Sequence, residues 1–161
     1  TILGTSDIHG IVDWQYRIPS GGHRPVTLVF AREKTKTSLK RSLQKGQTVV
    51  WFKKKLIGKG DFLIPLINST LEVKSAKYFT NTTVAHVTIS NNSDAPYTLR
   101  NHSKYDFYNL TDLVMIPAHG EVNIDVRTIE KLRKFTLQFE VLNALTAPKT
   151  HPVIDLSLIH I

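Results

Sequence analysis

The sequence contains no cysteine and only one methionine. The lack of cysteine excludes disulfide bonds and cysteine-ligated zinc, while leaving the cellular compartment open. No apolar run approaches the roughly 18 to 20 residues of a membrane-spanning helix, and no basic segment followed by an apolar one marks a leader. The first residue is not methionine, so we expect the chain to be cut at its front.

Acidic residues are scarce in one segment of the chain. Between Arg32 and Lys59, ten basic residues accompany one acid, Glu33, so this segment carries +9 and the remainder of the chain −1. A concentrated basic patch attracts phosphates or nucleic acid. The alternative is a solvated helix face together with an exposed hairpin end. Because no aromatic ladder accompanies the charge, as single-strand binding would need, nucleic acid is not the expected partner.

Strand and helix patterns alternate in the first third of the chain. We expect a short buried strand, an irregular loop with a Gly pair and two prolines, a second strand, a helix and a third strand. Thr35 or Thr37 can cap the helix and Gly46 suits its exit. In chain order these elements cover residues 1–5, 11–25, 26–31, 35–45 and 47–52. This order is typical of an α/β fold.

Beyond residue 72, short alternating stretches are separated by turn clusters. A helix from Asp61 to about Thr70 precedes them, and Pro65 is tolerable only near its first turn. The expected strands cover residues 84–90, 97–101, 113–116, 121–126 and 135–142. Short strands with turns about every 8 to 12 residues favour a β-sandwich. We therefore place a domain boundary between Ile57 and Leu71.

The motif DIHG at residues 7–10 follows the first expected strand. Because side chains alternate along a strand, Asp7 and His9 should point the same way. A carboxylate and an imidazole on one face can share a divalent metal ion or bind two neighbouring ions. Two ligands do not close a metal site, and the nearest further candidates, Asp13 and His23, lie in the irregular loop. The alternative is that Asp7 caps the following turn and His9 is a half-exposed loop residue.

The stretch TILGTSDIHG resembles the last metal-binding motif of the PHP superfamily, the metal-dependent phosphoesterases named after polymerase and histidinol phosphatase. GGHRPVTLVFA, SLQKG and QTVVWFKKKLIGK are similar to the closing part of the Sb-PDE-type phosphodiesterases of this superfamily. NNSDAPYTL, MIPAHGEV and FEVLNALTAPKTHP look like the C-terminal domain of the same proteins. The resemblance covers residues 1 to about 155.

This resemblance implies an α/β fragment, the end of a distorted β/α barrel, at residues 1–56. A connecting helix at residues 57–71 and an all-β, Ig-like sandwich at residues 72–155 would follow. In such enzymes the barrel holds two or three divalent ions, manganese, zinc or similar, which activate water for attack on a phosphate ester. The Asp and His of the motif are both metal ligands, so these roles transfer to Asp7 and His9.

The remaining ligands of such enzymes belong to motifs that precede the DIHG motif. The resemblance therefore implies the C-terminal part of a phosphodiesterase or phosphatase that is inactive as this fragment. Its partners would be the missing N-terminal barrel of the same chain and a small-molecule phosphoester. Relatives of this type are often exported, which favours a periplasmic or secreted location.

The loop after the motif offers two candidate substrate-binding residues. His23 and Arg24 follow a Gly pair and can reach a substrate phosphate, and the planar fork of an arginine binds two oxygens at once. The alternative for Arg24 is an ion pair with a local carboxylate. Elsewhere, we expect His86 to be an outward or hydrogen-bonded strand residue. His102, His119 and His151 should lie in turns without acidic partners.

The last stretch, residues 156–161, matches one reading frame of a common sequencing-library transposon end. We interpret it as adapter-derived, and we exclude His160 from functional argument for that reason. Asn-x-Ser/Thr sequons are interpreted as turn residues rather than glycosylation sites. They begin at Asn68, Asn81, Asn91, Asn101 and Asn109.

The alternative to an enzyme is a binding or scaffolding module. In that case the sandwich docks to a barrel, a carbohydrate or a partner surface, and the front residues are only an attachment. The two hypotheses differ in what precedes the chain, because only the enzyme needs further His-x-His and Glu/His motifs upstream.

Overall fold

The computed structural model describes residues 1–108 and 111–159. Two compact units can be distinguished. The first comprises Thr1–Leu63 and Ala144–Thr150, and the second comprises Ile64–Asn143 and the residues from His151 onward. The predicted domain boundaries stay predictions. Within the described part of the chain, no helix has the length and apolar character needed to cross a membrane.

Strands outnumber helices, and most of the ordered structure is β in three sheets. The helices are α1 (Val12–Tyr16), α2 (Lys36–Gln44) and α3 (Gly60–Thr70), with a 3₁₀ turn at Ile18–Ser20. The strands are β1 (Val26–Val29), β2 (Thr48–Phe52), β3 (Lys55–Gly58), β4 (Leu71–Tyr78), β5 (Val84–Asn91), β6 (Tyr97–Asn101), β7 (Asp106–Phe107), β8 (Leu113–Ile116), β9 (Glu121–Arg127), β10 (Lys134–Val141), β11 (Ala144–Leu145) and β12 (Val153–Ile159).

The first unit contains a four-stranded sheet in the order β1-β2-β3-β11. Strands β1, β2 and β3 pair antiparallel, whereas β11 pairs parallel to β3 with Ala144 opposite Leu56. The β-branched run at the start of β2 favours a strand, and Thr48 and Val49 are almost fully buried. The predicted strands 26–31 and 47–52 are confirmed with slightly narrower bounds. The assignment of this unit to the end of a barrel stays a prediction.

Helix α2 confirms the helix predicted at residues 35–45. Thr35 caps it, because its Oγ1 accepts a hydrogen bond from the backbone N–H of Ser38 at 3.2 Å. The chain leaves the helix through Gly46 with φ of +68°, a conformation that costs glycine little. Beyond β2, a tight turn at Lys53, φ +55°, leads into β3 and forms the exposed hairpin end expected for the basic segment.

The predicted buried strand at residues 1–5 is wrong. This segment forms no strand and is mostly exposed. The backbone N–H of Gly4 donates to Oγ1 of Thr27 at 2.9 Å, and Oγ1 of Thr48 donates to the carbonyl oxygen of Ile2 at 2.7 Å. Side-chain hydroxyls therefore hold the segment, instead of the main-chain ladder that defines a strand.

The predicted irregular loop at residues 11–25 is wrong in part, because it contains α1 and the 3₁₀ turn. Both elements are short. Arg17 ends α1 in the left-handed conformation with φ of 53°, and its backbone carbonyl accepts hydrogen bonds from Ser20 and Gly22. A Cβ atom on Gly22 would lie 1.9 Å from the carbonyl oxygen of Tyr16. Only glycine therefore fits at this crossing of the loop.

Helix α3 confirms the helix predicted from Asp61 to Thr70. Leu63 and Ile67, four residues apart, are both fully buried and form its apolar stripe. The helix begins at Gly60, one residue before the predicted start, so Pro65 lies early in its second turn and close to the first, as predicted. One main-chain hydrogen bond is lost there because proline has no N–H.

The second unit is a sandwich of two antiparallel four-stranded sheets, in the orders β12-β10-β6-β8 and β4-β5-β9-β7. The predicted alternation in β5 is confirmed, because Ala85, Val87 and Ile89 are fully buried. The rings of Phe107 in β7 and Phe139 in β10 lie 6.0 Å apart and join the two sheets across the core. The five predicted strands of this part are all present, and its strands β4, β7 and β12 were not predicted.

Strand β12 includes much of the stretch interpreted as adapter-derived. Leu156 and Leu158 are buried, and β12 pairs with β10 along its whole length. The origin proposed for residues 156–161 stays a prediction, and His160 lies outside the described residues.

Two of the sequons are built into turns. The buried Asn91 donates from Nδ2 to the carbonyl oxygens of Ala95 and Pro117, at 2.8 and 2.9 Å. Asn101 donates to the carbonyl oxygen of Tyr105 at 2.7 Å. In each case Oδ1 accepts from the backbone N–H two residues later, as in an Asx turn. Asn109 lies outside the described residues.

Candidate functional site

Asp7 and His9 face each other at the end of the front segment. Oδ2 of Asp7 lies 3.0 Å from Nε2 of His9, and the two side chains are 89% and 82% exposed. They therefore lie on one side of the chain, as expected from the motif, even though the segment is not a strand. Their role as metal ligands stays a prediction.

The helix after the motif fixes the backbone of this pair. Nε2 of Gln15, within α1, donates to the carbonyl oxygen of Asp7 at 3.1 Å. The backbone N–H of Gln15 donates to the carbonyl oxygen of Ile11 at 3.0 Å and closes the first turn. The main chain at Asp7 is thus tied to a local element, while the side chains of Asp7 and His9 stay open to solvent.

Arg24 lies close to the motif in space. Its Nη2 donates to Oγ of Ser6 at 2.9 Å, and the side chain is exposed. Its partner is therefore a hydroxyl, whereas the alternative considered from the sequence was a carboxylate. A guanidinium held by a neutral group keeps its full charge available to an anion.

His23 is held more firmly than Arg24. Its ring stacks on Trp51 with the ring centroids 4.1 Å apart, Nδ1 lies 2.8 Å from the carbonyl oxygen of Arg24, and Nε2 lies 3.3 Å from that of Lys53. Both ring nitrogens thus face carbonyl oxygens, which only accept hydrogen bonds. These contacts fix the ring of His23 beside Arg24, so the ring has little freedom to rotate toward a ligand.

The described residues of this chain do not by themselves form a complete metal site. Among the described residues, no group of three or more His, Asp or Glu side chains comes together. Asp13 and His23, the nearest candidates in the sequence, do not join Asp7 and His9. The donor chemistry nevertheless fits a divalent cation, which binds carboxylate oxygen and imidazole nitrogen.

The distance between the two donor atoms also fits a shared ion. Two ligands at about 2.1 Å from one cation and about 90° apart are separated from each other by about 3.0 Å. Oδ2 of Asp7 and Nε2 of His9 already have this separation. The remaining ligands would have to come from residues outside this chain segment.

Two further histidines, His86 and His119, have acidic partners. Nδ1 of His86 lies 2.7 Å from Oδ1 of Asp125 on the neighbouring strand, which confirms the expected hydrogen-bonded strand residue. His119 was expected to lack an acidic partner, and this is wrong, because its Nε2 lies 2.7 Å from Oδ1 of Asp94. The two partners are 25 positions apart in separate turns, so sequence spacing gave no sign of the pair.

The structure adds two features that sequence reasoning missed. One is Ser6, the hydroxyl that positions Arg24, which stands directly before the motif without any distinguishing pattern. The other is a depression beside α2 lined by Arg41, Ser42 and Lys45. The basic composition of this segment was visible in the sequence, but the burial of Ser42 was not.

The sandwich identifies the family. The sequence model of the family DUF5001, an Ig-like domain, matches residues 71–157, just over half of the chain. The chain therefore belongs to this family of Ig-like domains. Comparison with the curated proteins gave no match.

One solved structure extends the similarity to the first unit. It is the crystal structure of a two-domain protein from Bacteroides vulgatus ATCC 8482 that contains a predicted PHP-like metal-dependent phosphoesterase. The TM-score is 0.83 at 24% sequence identity, over 98% of this chain. The chain spans only 46% of that protein. At this identity the similarity establishes the fold.

Proposed function

We propose that this chain is the C-terminal part of a divalent-metal-dependent phosphodiesterase or phosphatase of the PHP superfamily, and that it is inactive as this fragment alone. One observation carries the proposal. Asp7 and His9, the two residues that match the last PHP metal motif, present their donor atoms 3.0 Å apart and open to solvent. The similarity of nearly the whole chain to part of a PHP-like two-domain protein supports it.

In this proposal the first unit is the end of a distorted β/α barrel that the preceding part of the same protein completes. Asp7 and His9 would hold manganese, zinc or a similar ion together with ligands from that part. The bound ions, two or three in such a barrel, would activate water and neutralise charge on the phosphate. Arg24 would bind phosphate oxygens through its two forked nitrogens, and His23 would form the adjoining wall.

The electrostatics of these residues favour a phosphoester as substrate. Arg24 brings a permanent positive charge beside the motif, and Ser6 holds it without neutralising it. Phosphate esters are anionic, so this charge would orient the substrate while Asp7 and His9 stay directed at the metal.

The test is made on the longer protein that contains this segment. Asp7→Asn and His9→Ala should each abolish hydrolysis of a chromogenic phosphodiester and lower the content of tightly bound metal. Asp13→Asn, an exposed acid in the neighbouring helix, is the matched control and should retain both. Hydrolysis that survives both Asp7→Asn and His9→Ala would reject the proposal.

The second candidate function is a binding or scaffolding module without catalysis. The family match over residues 71–157 favours it, because that match covers the sandwich and none of the candidate site. The sequence upstream of Thr1 would distinguish the two candidate functions. Further His-x-His and Glu/His motifs there support the enzyme, and a linker or an unrelated fold supports the module.

A further inference from the structure

A depression of about 600 Å³ lies beside α2 in the first unit. We call it the α2 depression. Its lining residues come from the end of β1, the following loop, one face of the helix and the entry to β2. They are Phe30, Ala31, Arg32, Glu33, Thr35, Thr37, Ser38, Arg41, Ser42, Lys45 and Gln47.

Positive charge dominates this lining. Arg32, Arg41 and Lys45 are exposed, and Glu33 is the one acid among the lining residues. None of the ion pairs within the described residues involves these three cations. Cations that neutralise no neighbour attract an external anion, and their convergence on one concave surface raises the local potential.

Ser42 gives a second and independent indication of a ligand. Only 4% of this residue is exposed, yet its hydroxyl has no hydrogen-bond partner within the described residues. Every fully inaccessible side-chain oxygen or nitrogen among these residues has a hydrogen-bond partner. The hydroxyl of Ser42 has none, so it must reach solvent. Ser42 is one of the residues that line the α2 depression. A buried hydroxyl in this situation is available to a bound acceptor.

The walls of the depression are well supported. The ring of Phe30 packs on Phe62 with the centroids 5.6 Å apart, and the backbone N–H of Phe30 donates to the carbonyl oxygen of Gln47 at 3.0 Å. Helix α2 is fixed at its start by the Thr35 cap. A depression between fixed elements needs little reorganisation to bind a ligand.

This depression is separate from the Asp7 and His9 pair. Arg24, beside that pair, precedes β1, whereas Phe30 follows β1. The four residues of β1 span about 13 Å at about 3.3 Å each. The α2 depression therefore lies at the opposite end of the strand, and its role does not depend on the proposed phosphoesterase activity.

We propose that the α2 depression binds a small phosphate-bearing anion, either inorganic phosphate or a phosphate monoester. Arg41 and Arg32 supply forked donors for phosphate oxygens, Lys45 supplies a point charge, and the hydroxyl of Ser42 donates one further hydrogen bond. A phosphate offers at least three acceptor oxygens and close to two negative charges, which suits a site with three cations better than a carboxylate does. The volume lies within the range of about 300 to 1,000 Å³ found for small-molecule sites.

The experiment is calorimetric titration of inorganic phosphate into the 161-residue chain at constant ionic strength, with glycerol phosphate as the monoester arm. We expect saturable binding with one site per chain. Arg41→Gln should raise Kd roughly tenfold or more because a charge-assisted hydrogen bond is lost, and Ser42→Ala should raise it roughly threefold. Lys40→Gln removes the same charge from an exposed position on the same helix outside the depression, so it should leave Kd within about twofold.

Several outcomes would overturn the proposal. These are the absence of saturable phosphate binding to the folded chain, an equal loss for Lys40→Gln and Arg41→Gln, and a Kd that neither Arg41→Gln nor Ser42→Ala changes. The proposal would also be wrong if the chain bound a DNA duplex tightly and all these variants weakened that binding equally. The positive charge would then serve to bind nucleic acid. Circular dichroism checks the fold of each variant, and Arg41→Gln decides the matter if Ser42→Ala disturbs the packing.

Discussion

Arg24 donates a hydrogen bond from Nη2 to Oγ of Ser6 across 2.9 Å, although 18 positions separate the two residues. This contact places a guanidinium next to the residue that precedes Asp7. It joins the motif at the front of the chain to the loop that leads into β1.

On the proposed function, Arg24→Lys in the longer protein should lower kcat/KM for a phosphodiester by roughly tenfold to a hundredfold, because lysine cannot bind two oxygens through one planar fork. Ser6→Ala should have a smaller effect of about twofold to fivefold, since it only releases the guanidinium. Arg17→Lys, an exposed arginine of the same loop, is the control and should change little. An equal loss for Arg17→Lys and Arg24→Lys would contradict a specific role.

Asn91 should be one of the most sensitive polar positions of the sandwich. Its buried side chain donates to two carbonyl oxygens and accepts from Ser93, so Asn91→Ala leaves several buried groups without partners. We expect the free energy of unfolding to fall by about 2 to 4 kcal/mol in chemical denaturation. The neighbouring exposed Asn92→Ala should cost less than about 0.5 kcal/mol. Similar losses at both positions would argue against the turn as the cause.

Buried and exposed leucines of the sandwich should differ in how much they contribute to the free energy of unfolding. Leu99 in β6 is fully buried, so Leu99→Ala should lower the free energy of unfolding by about 3 kcal/mol through lost burial and a residual cavity. Leu113 in the paired strand β8 is 48% exposed, and Leu113→Ala should cost less than about 1 kcal/mol. Urea denaturation of both variants measures the difference. A smaller loss for Leu99→Ala than for Leu113→Ala would contradict the placement of the core.

Glu72 and Lys74 provide a prediction about pH. The hydrogen bond from Lys74 and, to a lesser extent, that from Asn92 lower the pKa of Glu72 below its ordinary value. The ionised form is thus favoured in the folded state. Its contribution to stability is present above the unfolded-state pKa and is lost as the pH falls through the lower folded-state pKa. About half of each side chain is exposed to solvent, so the contribution is small.

Carbon NMR of the Glu72 carboxyl group measures this directly. Lys74→Met should raise the pKa of Glu72 toward its ordinary value, because the hydrogen bond and charge that lower it most are removed. Lys77→Met on the same strand serves as the control and should leave the titration unchanged. An unchanged titration in Lys74→Met would show that the pair is not formed in solution.

The alternating strands were predictable because one face of each is buried. In β5 the pattern from Val84 to Asn91 places every second side chain in the core, and the predicted bounds differ by one residue. Strand β4 was missed because its alternation is interrupted. Its pairing with β5 shifts between Val73 and Ser75, so the apolar residues change face at the bulge.

The candidate site was predictable only in part. The motif placed Asp7 beside His9 correctly, since residues two apart share a side in extended chain. The segment itself was misread as a strand, because its apolar start does not reveal that side-chain hydroxyls of Thr27 and Thr48 hold it. Contacts between residues 18 or more positions apart, such as that of Arg24 with Ser6, leave no local pattern to detect.

The parallel pairing of β11 with β3 affects how the protein is made. Ala144 pairs with Leu56, so about 90 residues must leave the ribosome before the first unit can complete its sheet. At a synthesis rate of about 5 to 20 residues per second, the edge of β3 waits roughly 5 to 20 seconds for its neighbour. During that interval the edge of β3 is unpaired, and an unpaired strand edge is a template for pairing with another chain.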